Sequence, residues 1–397
     1  MDHVFVLGGL RSYIGIRNSA YRHIPAECLG AAVLKGLIRQ CGCDGYAPGA
    51  VDPGVISPGT ISPGDIDMVI CGNSAGSGGN ITRLIMALEA GLDQSVPAFT
   101  VDQQCASSLE AITTAAAMIE SGLCHLVIAG GFESTSTQPL RSYHPNHPDY
   151  RDTTPYTTAK FVPGPHREDV MLQGAERTAA HYRVDKQDLD RWVLESHRRA
   201  LMARQSRILS DIIFPVFGLE RDEGIRPRMS QKLLDKLPPV LQDGRSLNAA
   251  NACTMNDGAA FVVLCSDQYL ARHGLTARCR ILDACSIGTN PLMSPVSAVS
   301  SIENLLKRTG ISMDEIGCIE CNEAFAVIDV LFERAYPGTF SRYNQFGGAL
   351  AYGHPYGASG AIIFLHLVKA MERTGSQKGI CSVAAAGGIG TALMLER

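Results

Sequence analysis

No uncharged apolar run in this chain of 397 residues reaches the length a bilayer-spanning helix needs, so no membrane span is expected. Charge of one sign is not in excess either. Lys and Arg number 35 against 39 Asp and Glu, a net −4, and whole-chain electrostatics gives no reason to expect nucleic acid or an acidic membrane surface as a partner. A local basic patch for a phosphorylated ligand is still compatible with that balance. Charged residues make up only 19% of the chain and apolar ones 45%, which excludes a disordered chain and fits a compact globular one. No secretory leader is expected, since Asp2 and His3 run straight into the strand-like Val4-Phe5-Val6-Leu7. The last residues, Leu395-Glu396-Arg397, carry no peroxisomal address.

Cysteine, by contrast, is plentiful. The thirteen cysteines are odd in number and scattered through apolar segments, so reduced thiols and a cytoplasmic location are expected. Cys41-Gly-Cys43 and Cys318-Ile-Glu-Cys321 have the look of metal or redox pairs. Neither has a second pair or a histidine at zinc spacing nearby, and no metal site is expected. The length is enough for a large core and two or three domains.

Residues 1–133 alternate strand-like and helix-like segments, namely Val4–Leu7, Ala26–Gln40, Met68–Cys71, Thr82–Ala90 and Leu126–Ala129, a pattern that argues for layered α/β structure. Within it, 45–64 reads Pro-Gly repeatedly and is expected to be a turn-rich surface insertion. Residues 134–253 differ: 143–167 is rich in Pro, His and Asp, helical patterns follow at 173–181 and 187–204, and 220–239 is charged and proline-bearing. Long excursions of this kind usually carry binding. The α/β pattern resumes at Asn256. The two α/β halves echo each other, because Cys105-Ala-Ser-Ser and Gly357-Ala-Ser-Gly each open a helix that leads to a strand and a Gly-Gly pair. Paired helix starts would bring Cys105 and the loop before Gly357 to one centre.

Cys105 is the most informative residue. An extended stretch, Val96 to Val101, runs into it, and after it Leu109, Ile112, Ala116 and Ile119 recur at helical intervals with only Glu110 and Glu120 charged. So uncharged a helix should be buried on most sides. Its free N–H groups and positive dipole end would then face Cys105 and lower the thiol pKa into the range of roughly 3.5–7.5.

Four segments belong together: Cys105-Ala-Ser-Ser108, Asn322-Glu-Ala-Phe-Ala326, Asn344-Gln-Phe-Gly-Gly-Ala-Leu-Ala-Tyr-Gly-His354-Pro-Tyr-Gly-Ala-Ser-Gly360 and Ala384-Ala-Ala-Gly-Gly-Ile-Gly390. With Gly78-Gly-Asn-Ile-Thr-Arg83, Ala129-Gly-Gly-Phe-Glu-Ser134 and Asn251-Ala-Cys-Thr-Met-Asn-Asp-Gly258, in this order, they resemble the thiolase superfamily over essentially the whole chain. The resemblance implies a five-layered αβαβα fold of two duplicated halves plus a loop domain. Residues 1–133 with 254–277 would form one half, 278–397 the other, and 134–253 the loop domain that binds coenzyme A.

It further implies that Cys105 takes an acyl group from a coenzyme A thioester. His354 would activate it, Asn322 would support an oxyanion hole through a water, and the backbone N–H groups of Cys105 and Ala386 would hold the oxyanion. Met171, Ala252, Cys253, Met293 and Phe325 would line the acyl and coenzyme A pocket, with Glu323 structural. The substrate is then an acyl-CoA, with no separate cofactor, and the assembly a homodimer or homotetramer.

The sequence departs from that pattern where the family carries a second reactive cysteine, which exchanges a proton with the substrate α-carbon. Ala384 stands there, and Ala386 replaces the first of three glycines. Cys381, an odd three residues away on a strand, would point to the opposite face. Acyl transfer to Cys105 is therefore expected to survive, while thiolysis and acetyl–acetyl condensation are expected to be weak. A Cys-His-Asn set also resembles the decarboxylating ketoacyl synthases, and a catalytically weak acyl-CoA-binding subunit is a further alternative. Cys253 in place of serine, Ser108 in place of glycine and a shortened 288–295 segment point to an acyl group other than a simple acetyl pair.

Overall fold

The computed structural model describes residues 3–41, 61–152 and 154–397. The Pro-Gly insertion thus lies outside the described residues as far as residue 60, and its end is a short turn at Pro63–Asp65 closed by a Ser62–Asp65 capping box. The described residues form ten strands: β1 (Val4–Arg11), β2 (Gly15–Ile16), β3 (Met68–Gly72), β4 (Ala98–Val101), β5 (Leu126–Ser134), β6 (Asn256–Ser266), β7 (Cys279–Gly288), β8 (Cys318–Cys321), β9 (Lys378–Ala385) and β10 (Ile389–Glu396). They run in the order β4-β3-β5-β6-β1-β7-β10-β9-β8, with β2 appended to β6.

Two half-sheets are joined only where Val4–Val6 of β1 meets Cys279–Ile281 of β7. Parallel neighbours need a crossover. In the first half the helix Ser107–Glu120 leads to β5, which lies parallel to β3. In the second the helix Ser359–Thr374 leads to β9, parallel to β8. The echo between the halves is these two matching crossovers. The Gly-Gly pairs do not match in the same way: Gly130 and Gly131 lie inside β5, paired with Phe261 and Ala260, whereas Gly387 and Gly388 turn the chain from β9 to β10. A Cβ on Gly131 would stand 1.9 Å from the Gly357 carbonyl oxygen, which is why that strand position has none.

Three apolar clusters define five layers. The helix Ala26–Gln40 packs on the outer face of the first half-sheet through Leu29, Val33, Leu34 and Leu37. Both crossover helices fill the space between the half-sheets, where Leu109, Ile112, Ile363 and Phe364 meet Val127 and Val262 on one side and Cys381 and Val383 on the other. The helices Val296–Thr309 and Ala326–Ala335 cover the outer face of the second half-sheet. Sandwiched between two sheets, the helix Ser107–Glu120 is buried on most sides, as its composition anticipates, and its charged Glu110 and Glu120 lie on the one stripe that is not fully covered.

The two central helices touch at their N-termini. Ala361 N–H donates to Ser108 Oγ at 3.0 Å, and a Cβ on Gly360 would come within 2.5 Å of Leu109 N. Gly360→Ala must therefore push the helix starts apart. It is expected to cost about 1–3 kcal/mol, as overpacking does, and to lower activity further by moving Cys105. Thermal unfolding and an acylation assay on the variant check both.

Among the described residues no strand lies between Ser134 and Asn256, and the excursion meets the sheet at a single bridge of Ile213 with Arg11. Helices Val170–His181 and Lys186–Ser206 dominate this excursion. The second is anchored by Trp192 against Tyr343 and Phe340, and by Arg199, which donates to the carbonyls of Tyr343, Asn344 and Phe340. No described helix is long and apolar enough to cross a membrane.

Candidate active site

Cys105 sits in a single tight turn, Gln104–Ala106, between β4 and the helix Ser107–Glu120. Gln104 has φ 55°, the left-handed region that a non-glycine residue adopts only when its surroundings impose it. Those surroundings are visible: Gln103 N–H donates to Ser107 Oγ (2.9 Å), Gln104 N–H to Asp102 Oδ1 (2.9 Å), and Thr391 Oγ1 to Gln103 Oε1 (2.8 Å). The turn is held from β10 as well as from its own chain.

The depressed thiol pKa expected from the helix start is not found. Burial pushes the Cys105 thiol up to about 12, and the N–H groups of Ala386 and of Cys105 itself, both directed at the sulfur, lower it only in part. The helix begins two residues after the thiol, and desolvation of a thiolate between two sheets outweighs its dipole. Cys105 is a neutral thiol.

His354 follows Gly353, whose φ of 98° turns the chain tightly against Asn256. Its own N–H donates to Thr254 O (3.2 Å) and Asn256 Oδ1 (3.1 Å), so the loop is fixed to the segment entering β6. The imidazole Nδ1 lies 2.6 Å from Ser359 Oγ and Nε2 lies 3.4 Å from Asn322 Nδ2. Ser359 gives its hydroxyl proton to Pro355 O at 3.0 Å, so it must accept from Nδ1–H. That fixes the tautomer and leaves Nε2 as a lone pair toward the Asn322 amide. Burial lowers the His354 pKa to about 3, so the ring is neutral at any working pH.

Asn322 enters the site from the end of β8, its N–H bonded to Ser382 O at 2.9 Å. Next to it the buried Glu323 finds the partners a carboxylate in an apolar run requires: Ser196 Oγ (2.6 Å), Asn344 Nδ2 (2.9 Å) and Leu350 N (3.2 Å). The Ser196 bond ties the excursion to the Asn322 loop. A second buried carboxylate, Glu133, receives Gly357 N (2.9 Å), Ser74 N (3.0 Å) and Asn73 Nδ2 (3.1 Å) and so pins the loop after His354 to the first half-sheet. Burial raises its pKa to about 7.

Of the expected pocket residues, Met171, Ala252, Cys253 and Phe325 pack on one apolar cluster. Ala252 pairs with Phe325, and Cys253 N–H donates to Ala324 O at 2.9 Å. Met293 lies apart, half-buried in the turn Pro291–Met293 beneath the helix Val170–His181. Cys381 and Ala384 fall on opposite faces of β9, Cys381 against the central helices and Ala384 against the outer cluster. Sequence reasoning missed Ser359, although a serine five residues after the histidine, at the first turn of its helix, is a readable second partner. It also passed over Tyr356, whose ring stands edge-on to His354 with centroids 5.0 Å apart.

A buried thiol receiving backbone N–H groups at the start of one central helix, and a neutral imidazole of fixed tautomer in the loop before the helix that touches it, are the equipment of an enzyme that moves acyl groups through a thioester. Residues 4–268 match the thiolase N-terminal domain and 275–397 the thiolase C-terminal domain. The chain is 33% identical to the β-ketoadipyl-CoA thiolase of Pseudomonas putida over the whole of both proteins. It is 35% identical to the putative acetyl-CoA C-acetyltransferase YhfS of Bacillus subtilis (strain 168), across 83% of this chain and 87% of that one. Among solved structures, the acetyl-CoA acetyltransferase of Bacillus anthracis superposes with a TM-score of 0.89 at 28% identity, covering 100% of this chain and 99% of that one. Human mitochondrial 3-ketoacyl-CoA thiolase in complex with CoA gives 0.87 at 27% identity, covering 100% and 98%. The chain belongs to the thiolase family. It is a coenzyme A-dependent acyltransferase of the thiolase type.

A neutral thiol beside a neutral imidazole has a signature in alkylation. Below its pKa of about 12, the Cys105 thiolate fraction grows tenfold per pH unit. Iodoacetamide, which no bound substrate aligns with the His354 lone pair, should therefore label the Cys105 peptide about tenfold faster per unit from pH 7 to 10. A rate already level at neutral pH would mean that the thiol gives up its proton within the site during alkylation as well.

Proposed function

We propose that Cys105 is the acyl acceptor, that His354 Nε2 takes its proton, and that the N–H groups of Cys105 and Ala386 hold the oxyanion, with Asn322 supporting the His354 side of the site. The Cys105 sulfur adds to the thioester carbonyl of an acyl-CoA, the carbon–sulfur bond to coenzyme A breaks, and the proton held on His354 leaves with the coenzyme A thiol. The observation that carries this reading is the pair of N–H groups, Ala386 and Cys105, converging on one sulfur, since they come from opposite halves of the fold. They lie where an oxyanion formed at that sulfur's acyl group would need them.

Coenzyme A is assigned to the excursion 134–253, with Met171, Ala252, Cys253 and Phe325 as pocket wall and Met293 at its margin. The division into two halves, 1–133 with 254–277 and 278–397, plus this loop domain supports that placement, because the excursion adds no strand and reaches the Asn322 loop through Ser196 and Arg199. A homodimer or homotetramer in the cytoplasm completes the reading. The methyl group at Ala384 favours one alternative, a decarboxylating condensation that draws its carbanion from a malonyl thioester and needs no base there.

Incubation with a panel of acyl-CoAs, followed by intact mass, tests the proposal. One acyl group should add per chain and be released by free coenzyme A. No adduct with any member of the panel overturns it. Condensation that proceeds with malonyl-CoA but not with acetyl-CoA would select the decarboxylating route.

A further inference from the structure

The carbon–carbon step of a thiolase-type reaction needs a group that exchanges a proton with the substrate α-carbon. Ala384 has none to offer, and Cys381 lies on the other face of β9 among the central helices. Cys253 packs with Met171 and Phe325 on the outer cluster, in the pocket wall. Tyr356 is placed differently. It stands two residues after His354, its ring edge-on to the imidazole at 5.0 Å and 84°, and packs on the same cluster as Cys105.

Its hydroxyl is also unlike those of the other buried tyrosines. Tyr21 donates to Tyr13 O (3.4 Å), Tyr343 to Asp329 Oδ1 (2.7 Å) and Tyr352 to Phe346 O (2.9 Å). Buried tyrosine hydroxyls normally find such partners. The Tyr356 hydroxyl makes no hydrogen bond to any described residue, and it is coupled electrostatically to Cys253, Cys105 and Glu133. A phenol with no protein partner, coupled to the reacting thiol, is free to meet the substrate.

We propose that Tyr356 is a further catalytic residue, whose hydroxyl gives a proton to the substrate α-carbon in cleavage and recovers it in condensation. The inference rests on Cys105 being the acyl acceptor. In cleavage of a 3-ketoacyl-CoA, the Cys105 sulfur adds to the 3-keto carbon and its proton passes to His354. The bond between the α-carbon and the 3-keto carbon then breaks with its electron pair going to the α-carbon, and the Tyr356 O–H protonates that carbon to release acetyl-CoA. The proton on His354 then passes to the Tyr356 phenolate, the incoming coenzyme A thiol gives its own proton to His354 as its sulfur attacks the acyl group, and Cys105 leaves with that proton. Burial together with the neighbouring thiols and Glu133 holds the hydroxyl well above its ordinary pKa, so the resting group is the protonated donor that this step requires.

The test separates the two half-reactions. Wild type and Y356F are compared for acyl transfer to Cys105 by intact mass, for thiolysis of acetoacetyl-CoA and a longer 3-ketoacyl-CoA, and for deuterium uptake at the α-carbon of acetyl-CoA. In Y356F the Cys105 adduct should still form, while thiolysis and deuterium uptake both fall by about 10²-fold or more. Cleavage and exchange at the wild-type rate in Y356F, or a wild type that acylates but shows neither, overturns the role of Tyr356 and leaves Cys105 standing. Loss of exchange in C253S with none in Y356F assigns the proton to Cys253 and likewise overturns it. A wild type that takes up no acyl group removes the underlying reading and this one with it.

Discussion

Cys105→Ala is expected to take up no acyl group from any coenzyme A thioester and to lose turnover completely while keeping its fold. The substitution deletes one sulfur from a side chain already in the close-packed centre, and the hydrogen bonds that hold its turn run through Gln103, Gln104 and Ser107, none of which depends on the thiol. The other thiols are poor substitutes. Cys71, Cys253 and Cys381 are each pushed far above the ordinary range by burial, and Cys265 and Cys279 are pushed up to about 12. Their environments differ from that of Cys105 in one respect that matters: only at Cys105 do N–H groups from both halves of the fold meet the sulfur. Cys253 is the informative control, since its thiol is electrostatically coupled to that of Cys105 and is proposed as part of the pocket wall. An adduct that survives in Cys105→Ala and maps to Cys253 would move the nucleophile there.

Much of this architecture is written into local sequence patterns. The helix Ala26–Gln40 has the boundaries its pattern predicts, because a proline precedes it. The strand predicted at Leu126–Ala129 runs on to Ser134, since glycines that look like a stop are required inside it to let the Gly357 loop approach. The excursion was legible as a non-sheet region from its Pro, His and charge content, but its attachment through Ser196 and Arg199 was not, as those partners lie more than a hundred residues away.

The site was legible in its parts and not in its electrostatics. Spacing alone brings Cys105 and the His354 loop to two helix starts, and the structure makes those starts touch. The sign of the thiol shift is a different matter, since it depends on how completely two sheets exclude water from the space between them. A helix-start argument weighs the dipole and omits that desolvation. Ser359 is instructive for another reason: its Oγ sets which His354 nitrogen carries the proton, and that role follows only from the Pro355 carbonyl claiming the hydroxyl proton.

His354→Ala is expected to slow acylation of Cys105 by about 10²–10⁴-fold, the usual reach of a positioned general base. The thiol cannot ionise by itself at neutral pH, being held up to about 12 by burial, so it must lose its proton as it attacks. His354 Nε2 is the acceptor proposed above, with its lone pair fixed by Nδ1–H donating to Ser359. The cost to folding should be modest, about 1–3 kcal/mol, because the variant strands one bond each on Ser359 and Asn322. Ser359→Ala should retain the base but release its tautomer, giving a smaller loss than His354→Ala. The pH dependence follows from the same geometry. A ring with its pKa lowered to about 3 stays unprotonated from pH 5 upward, and the thiol stays protonated up to pH 8, so single-turnover acylation by bound acyl-CoA should be level between pH 5 and 8. A rate that falls on acidification with a midpoint near 6.5 would show an imidazole that titrates as if exposed. A His354→Ala variant that acylates at the wild-type rate would show that the proton leaves by another route.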